Sequence, residues 1–136
     1  MLGPKKYRKQ LLELGIEGME VDVSTIDIAM DTLNQMNEME NILIKIRYNV
    51  RADIRRIRLE YVTKLKEVDQ SANVKKGLFS KKPSISKITE QKKKLTRERN
   101  LTIATYDVVE NTLDDYLDQI EKSRYYIKNS IQRRVG

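Results

Sequence analysis

Residues 43–68 read LIKIRYNVRADIRRIRLEYVTKLKEV, and their apolar members Leu43, Ile46, Val50, Ile54, Ile57, Tyr61, Leu65 and Val68 step by 3, 4, 4, 3, 4, 4 and 3. Steps of three and four gather side chains on one face of an α-helix, whereas a strand needs a step of two. The pattern repeats every eleven residues, so its stripe runs nearly straight or slightly right-handed, unlike a heptad supercoil. Neither Gly nor Pro interrupts the chain between Gly18 and Gly77. Upstream, Ser24 and Asp27 form a Ser-x-x-Asp capping pair, and Val23 with Ile28 has the spacing of a hydrophobic staple. These signals predict a first long helix over residues 24–70, roughly 70 Å long at the α-helical rise.

A second stripe follows in Tyr106, Val109, Leu113, Leu117, Ile120, Arg124, Ile127, Ile131 and Val135. It shares the eleven-residue spacing and predicts a helix over residues 85–134, starting at Ser84 or Ser86 just past Pro83. Residues 71–84 are left as a polar tip turn. Two helices of similar length and period, joined by a short turn, fold back as an antiparallel hairpin. If facing residue numbers total about 156, Leu43 meets Leu113, Met36 meets Ile120 and Val50 meets Tyr106. In that register Arg124 lies opposite Asp31, a candidate buried-edge ion pair.

Residues 1–23 read as a short helix with Pro4 at its first position and Gly15 as its left-handed stop. An extended connector through Met19, Val21 and Val23 follows. This segment is too small to fold alone, so its leucines are expected to pack at the base of the hairpin. That base carries more apolar residues than a two-helix seam can bury: Ile26, Ile28, Ala29, Met30, Ile42 and Ile44 on one helix, and Val108, Tyr116, Tyr125 and Tyr126 on the other. The N-terminal helix, a second protomer in a dimer, or both are the candidates to cover them. Toward the tip only Leu95 is apolar between Ile88 and Leu101, which predicts a thin distal core. The expected fold is therefore all-α: one domain over residues 1–136, a coiled-coil-like helical hairpin with a short helix at its base.

Composition narrows the chemistry. The 136 residues are 39% hydrophobic and 35% charged, and they include no Cys and no His. Thiol nucleophiles, thiolate or imidazole metal sites and His-based acid–base catalysis are thereby excluded. No enzyme, cofactor or metal is expected. Asp114, Asp118 and Glu121 repeat along one face near Glu38 and Glu40, yet Lys122 and Lys128 stand close enough to pair with them, so the face reads as solvated charge. No apolar run is long enough to span a bilayer, and MLGPKKYRKQ lacks the apolar core of a secretory signal, which predicts a cytoplasmic protein.

Charge supplies the functional reading. Residues 72–100 hold ten Lys/Arg against two acids, a net +8, and the rest of the chain sums to −1. Lysines and arginines clustered without acids attract a polyanion, because each phosphate contact releases condensed counterions. Arg51, Arg55 and Arg58 share one helical face, and Lys92, Lys93, Lys94, Arg97 and Arg99 on the returning helix are expected to approach them. Lys75, Lys76, Lys81 and Lys82 extend this set into the tip. No aromatic platform is interleaved with the charges, so nucleic acid, the first candidate partner, is expected to bind without sequence specificity. Leu78 and Phe79, set between Lys pairs, leave other readings open: a shallow anchor on an anionic membrane surface, a plug for an acidic protein partner, or a cap folded back on the core.

Overall fold

A computed structural model describes residues 1–73 and 84–136. Three helices, α1 (Pro4–Glu13), α2 (Ile26–Asn73) and α3 (Ile85–Val135), account for nearly all of them, and no strand occurs among the described residues. The long helices pack against each other, and α1 touches both.

The helix ends follow local chemistry. Pro4 occupies the first position of α1, and beyond its last residue Gly15 takes a left-handed φ of 67°. The α3 cap is Ser84, whose Oγ accepts from the Lys87 amide at 3.2 Å. The start of α2 differs from expectation. Thr25 Oγ1 accepts from the Ile28 amide at 3.1 Å, so Thr25 is the cap instead of Ser24. Ser24 is held one residue outside the helix because its own amide donates to Asp22 Oδ1 at 2.9 Å. Nor does the expected staple close that face, since Ile28 remains 37% exposed while Val23 packs on the core.

The two stripes meet as periodicity predicts. Leu43, Ile46, Val50, Ile54, Ile57 and Tyr61 are buried from α2, and Tyr106, Val109, Leu113, Ile120 and Ile127 from α3. Their pairing register differs from the expected one. The ion pairs Arg51–Glu110 and Lys92–Asp69 join residues whose numbers total 161, not 156. Arg124 accordingly pairs with Glu40 and donates to Asn37 Oδ1 at 3.2 Å; the expected Asp31 contact is not made. Two causes act together. A stripe stepping by three and four maps nearly onto itself after one turn, so apolar matching tolerates a slip of about four residues. Helical side chains also lean toward their own N-terminus, and across an antiparallel pair the tips that meet come from residues farther along than the Cα atoms that face.

The position of α1 is a second correction. It lies against the middle of the long pair instead of its base. Tyr7 places its ring 6.4 Å from that of Tyr106 at 58°, and its hydroxyl donates to Asp53 at 2.7 Å. From there the connector descends toward the start of α2. Ile16 is fully buried, its carbonyl accepts from Gln119 Nε2 at 3.0 Å, and Glu17 accepts from the Tyr116 hydroxyl at 3.1 Å. Met19, Val21 and Val23 alternate inward as an extended chain should. Lower still, the Thr32 hydroxyl lies 2.9 Å from the Asp22 carbonyl. The third layer therefore covers Ala29 and Tyr116 and leaves Ile26, Met30, Ile42, Ile44, Val108, Tyr125 and Tyr126 exposed.

Packing thins toward the tip. Among the described residues none is buried between Tyr61 and Tyr106; Leu65, Val68, Ile88 and Leu95 are only half-buried, and Ile85 and Leu101 are exposed. Truncating Leu113 to Ala should therefore cost about 2–5 kcal/mol in urea unfolding. Leu95→Ala should cost roughly 1 kcal/mol or less, because its site is already partly wet. Hydrogen exchange at neutral pH should show the amides of residues 85–100 opening well before those of residues 106–120.

Candidate polyanion interface

The central basic stretch of α2 contains Lys45, Arg47, Arg51, Arg55, Arg56 and Arg58, with Asp53 as its single acid. A lone carboxylate there would pair with a neighbouring arginine if it pointed outward. It does not: Asp53 is buried, 5% exposed, and accepts the Tyr7 hydroxyl. The surface of this stretch consequently carries cations alone. Burial, together with the adjacent Asp53 carboxylate, pushes the Tyr7 hydroxyl well above the usual phenol range. Tyr106 is raised in the same direction, chiefly by burial and also by Asp53.

The cations occupy two faces. Arg56 lies on the α1 side, lining a small cleft with Met1, Leu2, Tyr7, Asn49 and Asp53. Arg51, Arg55 and Arg58 lie toward α3, facing Asp107 and Glu110, and Arg51 Nε sits 3.6 Å from Glu110. From the returning helix Arg99 joins them: Arg58, Val62, Arg99, Asn100, Ile103 and Asp107 line a groove of about 560 Å³ between the helices. The clefts that Arg51, Arg55 and Arg58 line include Arg99 and no other α3 cation. Lys92 pairs with Asp69 farther out, and Lys92, Lys93 and Arg97 together line a shallow groove on α3 with Thr89, Thr96 and Asn100. Lys94 is exposed. Lys75, Lys76, Leu78, Phe79, Lys81 and Lys82 lie outside the described residues.

The tertiary structure adds a group expected at the base of the hairpin. On α1, Lys5, Lys6, Arg8 and Lys9 are all exposed, because Tyr7 and Leu11 take the inward positions. The Tyr7–Asp53 contact carries these four cations to mid-rod, on the outer face of the helix whose Tyr7 shares a cleft with Arg56. The run KKYRK is plain in the sequence, but a long connector left its position open. The available signal was Asp53, a single acid within a basic helix, flanking the apolar stripe and needing a donor.

On the acidic face of α3 one ion pair forms. Asp118 accepts Lys122 Nζ at 2.8 Å, and this contact raises the lysine pKa. Among the described residues no group of three or more acidic side chains is arranged to hold a metal ion. Tyr116 is shifted upward, first by burial and then by its bond to Glu17. No protein-family model, curated protein or solved structure matches the chain.

The Tyr7–Asp53 bond makes a pH prediction. The fold favours the neutral phenol, so its contribution is complete below the unfolded tyrosine pKa of about 10 and is lost as pH rises beyond that. Thermal stability should decline above about pH 10. Tyr7→Phe should cost about 1–3 kcal/mol at neutral pH, by leaving the Asp53 carboxylate buried without its donor. Its alkaline decline should be shallower than that of the parent, though still present because Tyr106 and Tyr116 are shifted in the same sense.

Proposed function

We propose that this chain is a non-enzymatic cytoplasmic binding protein that holds a polyanion, foremost nucleic acid, against the cations of α1, central α2 and the first half of α3. The observation that carries this reading is the withdrawal of Asp53 into the core. Six cations of α2 are left without an acid of their own stretch at the surface, and α1 adds four more on its outer face. Ion pairing answers only part of this charge: Arg51 leans on Glu110 and Lys92 on Asp69, both at exposed positions where such pairs contribute little. A phosphate backbone competes well for side chains held so loosely.

Recognition in this scheme is electrostatic. The basic residues of α2 and α3 flank a groove, and α1 presents a second row on another face. The exposed Tyr48 ring stands beside the α2 cations, but no run of aromatics follows them, so affinity is expected to depend mainly on charge density and salt and little on sequence. The chemistry excludes histidine- and cysteine-based catalysis because neither residue is present. Anionic lipid is the competing surface. Among the described residues no helix is long and apolar enough to cross a membrane.

A salt titration distinguishes these outcomes. Duplex DNA and structured RNA should bind at low salt, with log K falling linearly against log salt. Replacing Lys5, Lys6, Arg8 and Lys9 together by Ala should reduce that slope by about 2–4, at roughly 0.9 per lost phosphate contact. Arg55→Ala with Arg58→Ala should reduce it by about 1–2. Phe79→Ala should leave it nearly unchanged. The proposal fails if neither nucleic acid binds at low salt, if the slope ignores the α1 cations, or if binding appears only with anionic vesicles and requires Phe79.

A further inference from the structure

A second stripe runs along α2, separate from the one that builds the core. Ile26, Met30, Asn37, Asn41, Ile44 and Tyr48 follow one another at helical spacing and are all exposed. Ile26 is 38% exposed, Met30 46%, Ile44 43% and Tyr48 68%. The buried positions Ala29, Thr32, Met36, Leu43, Ile46 and Val50 occupy the neighbouring face, where α3 and the connector already sit. The fold therefore leaves a six-turn apolar seam with a polar centre uncovered.

We infer that this seam pairs with the same seam of a second copy, the two α2 helices running antiparallel about a two-fold axis near Asn37. The charge order along α2 selects this occupant. Residues 26–40 carry Asp27, Asp31, Glu38 and Glu40 and no cation, whereas residues 41–58 carry six cations and one acid, the buried Asp53. A parallel pair would set acids against acids and arginines against arginines. An antiparallel pair sets the acidic end of each copy against the basic stretch of the other, at separations within a Debye length.

Side-chain positions agree at finer scale. With the axis at Asn37, Ile26 of one copy meets Tyr48 of the other, and Met30 meets Ile44. Asp27, Asp31 and Lys45 lie on one flank of the seam, and in an antiparallel two-fold pair a flank meets its own equivalent, so the aspartates of one chain approach Lys45 of the other. Asn37, facing its own equivalent at the centre, acts as a polar position that holds register, as a single polar residue does within an apolar coiled-coil seam. The interface is isologous, needing no surface beyond the one this chain carries. It leaves the distal halves projecting in opposite directions.

The test is sedimentation velocity of the full chain, without nucleic acid, over a wide concentration range. The parent should associate reversibly to a dimer. Met30→Glu with Ile44→Glu should weaken association by about tenfold or more, while far-UV circular dichroism stays unchanged because both sites are on the surface. Asp27→Lys with Asp31→Lys should also weaken it, and adding Lys45→Glu to that chain should restore it. A chain monomeric at every concentration overturns the inference, as does a dimer indifferent to Met30 and Ile44. A dimer that needs the apolar residues but ignores the charge exchange overturns the antiparallel pairing. So does a monomeric chain whose seam is occupied only by a foreign helix. Since no polyanion is present, failure here leaves the nucleic-acid reading to be judged on its own salt titration.

Discussion

A pair of helices can bury one stripe from each partner, and this limit governs the whole molecule. Leu43, Val50, Leu113 and Ile120 disappear completely between α2 and α3. The flanks of a two-helix seam stay wet unless a third element arrives. In the proximal half it arrives as α1 and its connector, which seal Tyr106, Tyr116 and Ala29; beyond Tyr61 nothing is buried among the described residues. The molecule is thus a three-layered core that tapers into a bare helix pair. The taper places the most stable packing at one end of the rod and the highest density of positive charge toward the other.

The clasp between Tyr7 and Asp53 links packing to charge. A buried carboxylate is costly unless hydrogen-bonded, and the Tyr7 hydroxyl meets that need at 2.7 Å. The same contact sets the height of α1 on the rod and withdraws from the surface the one acid that the central basic stretch of α2 carries. A structural bond at the core edge therefore shapes the electrostatic surface, and the proposed polyanion interface depends on it as much as on the cations themselves. Among the described residues, Arg99 shares a groove with Arg58, while other cations lie on the outer face of α3 and on α1.

Periodicity made the long helices, their apolar stripes and their pairing legible, because burial of a stripe is a local demand repeated at every turn. Periodicity could not set the register. A stripe that repeats each turn accepts a one-turn slip, and polar contacts such as Arg51–Glu110 and Arg124–Glu40 choose among the near-equivalent alignments. At the start of α2 the local reading stopped one residue short. Ser24 and Thr25 are both good caps, and the turn made by Asp22 decided between them.

The sequence by itself determined an all-helical chain with two long amphipathic helices, a thin distal core, a basic bias outside the base, and an absence of histidine and cysteine chemistry. Each of these follows from residue identity at fixed local spacing. Only the tertiary structure decided the pairing register, the mid-rod position of α1 and the burial of Asp53, which together determine which cations face outward and where. These are matters of long-range placement: a flexible connector allows α1 many positions, and the choice falls to the one that satisfies a buried carboxylate while filling the flank of the seam. The exposed stripe on α2 belongs to the same class. Its residues are visible in the sequence as apolar, but that neither α1 nor α3 covers them is known only once both have been placed.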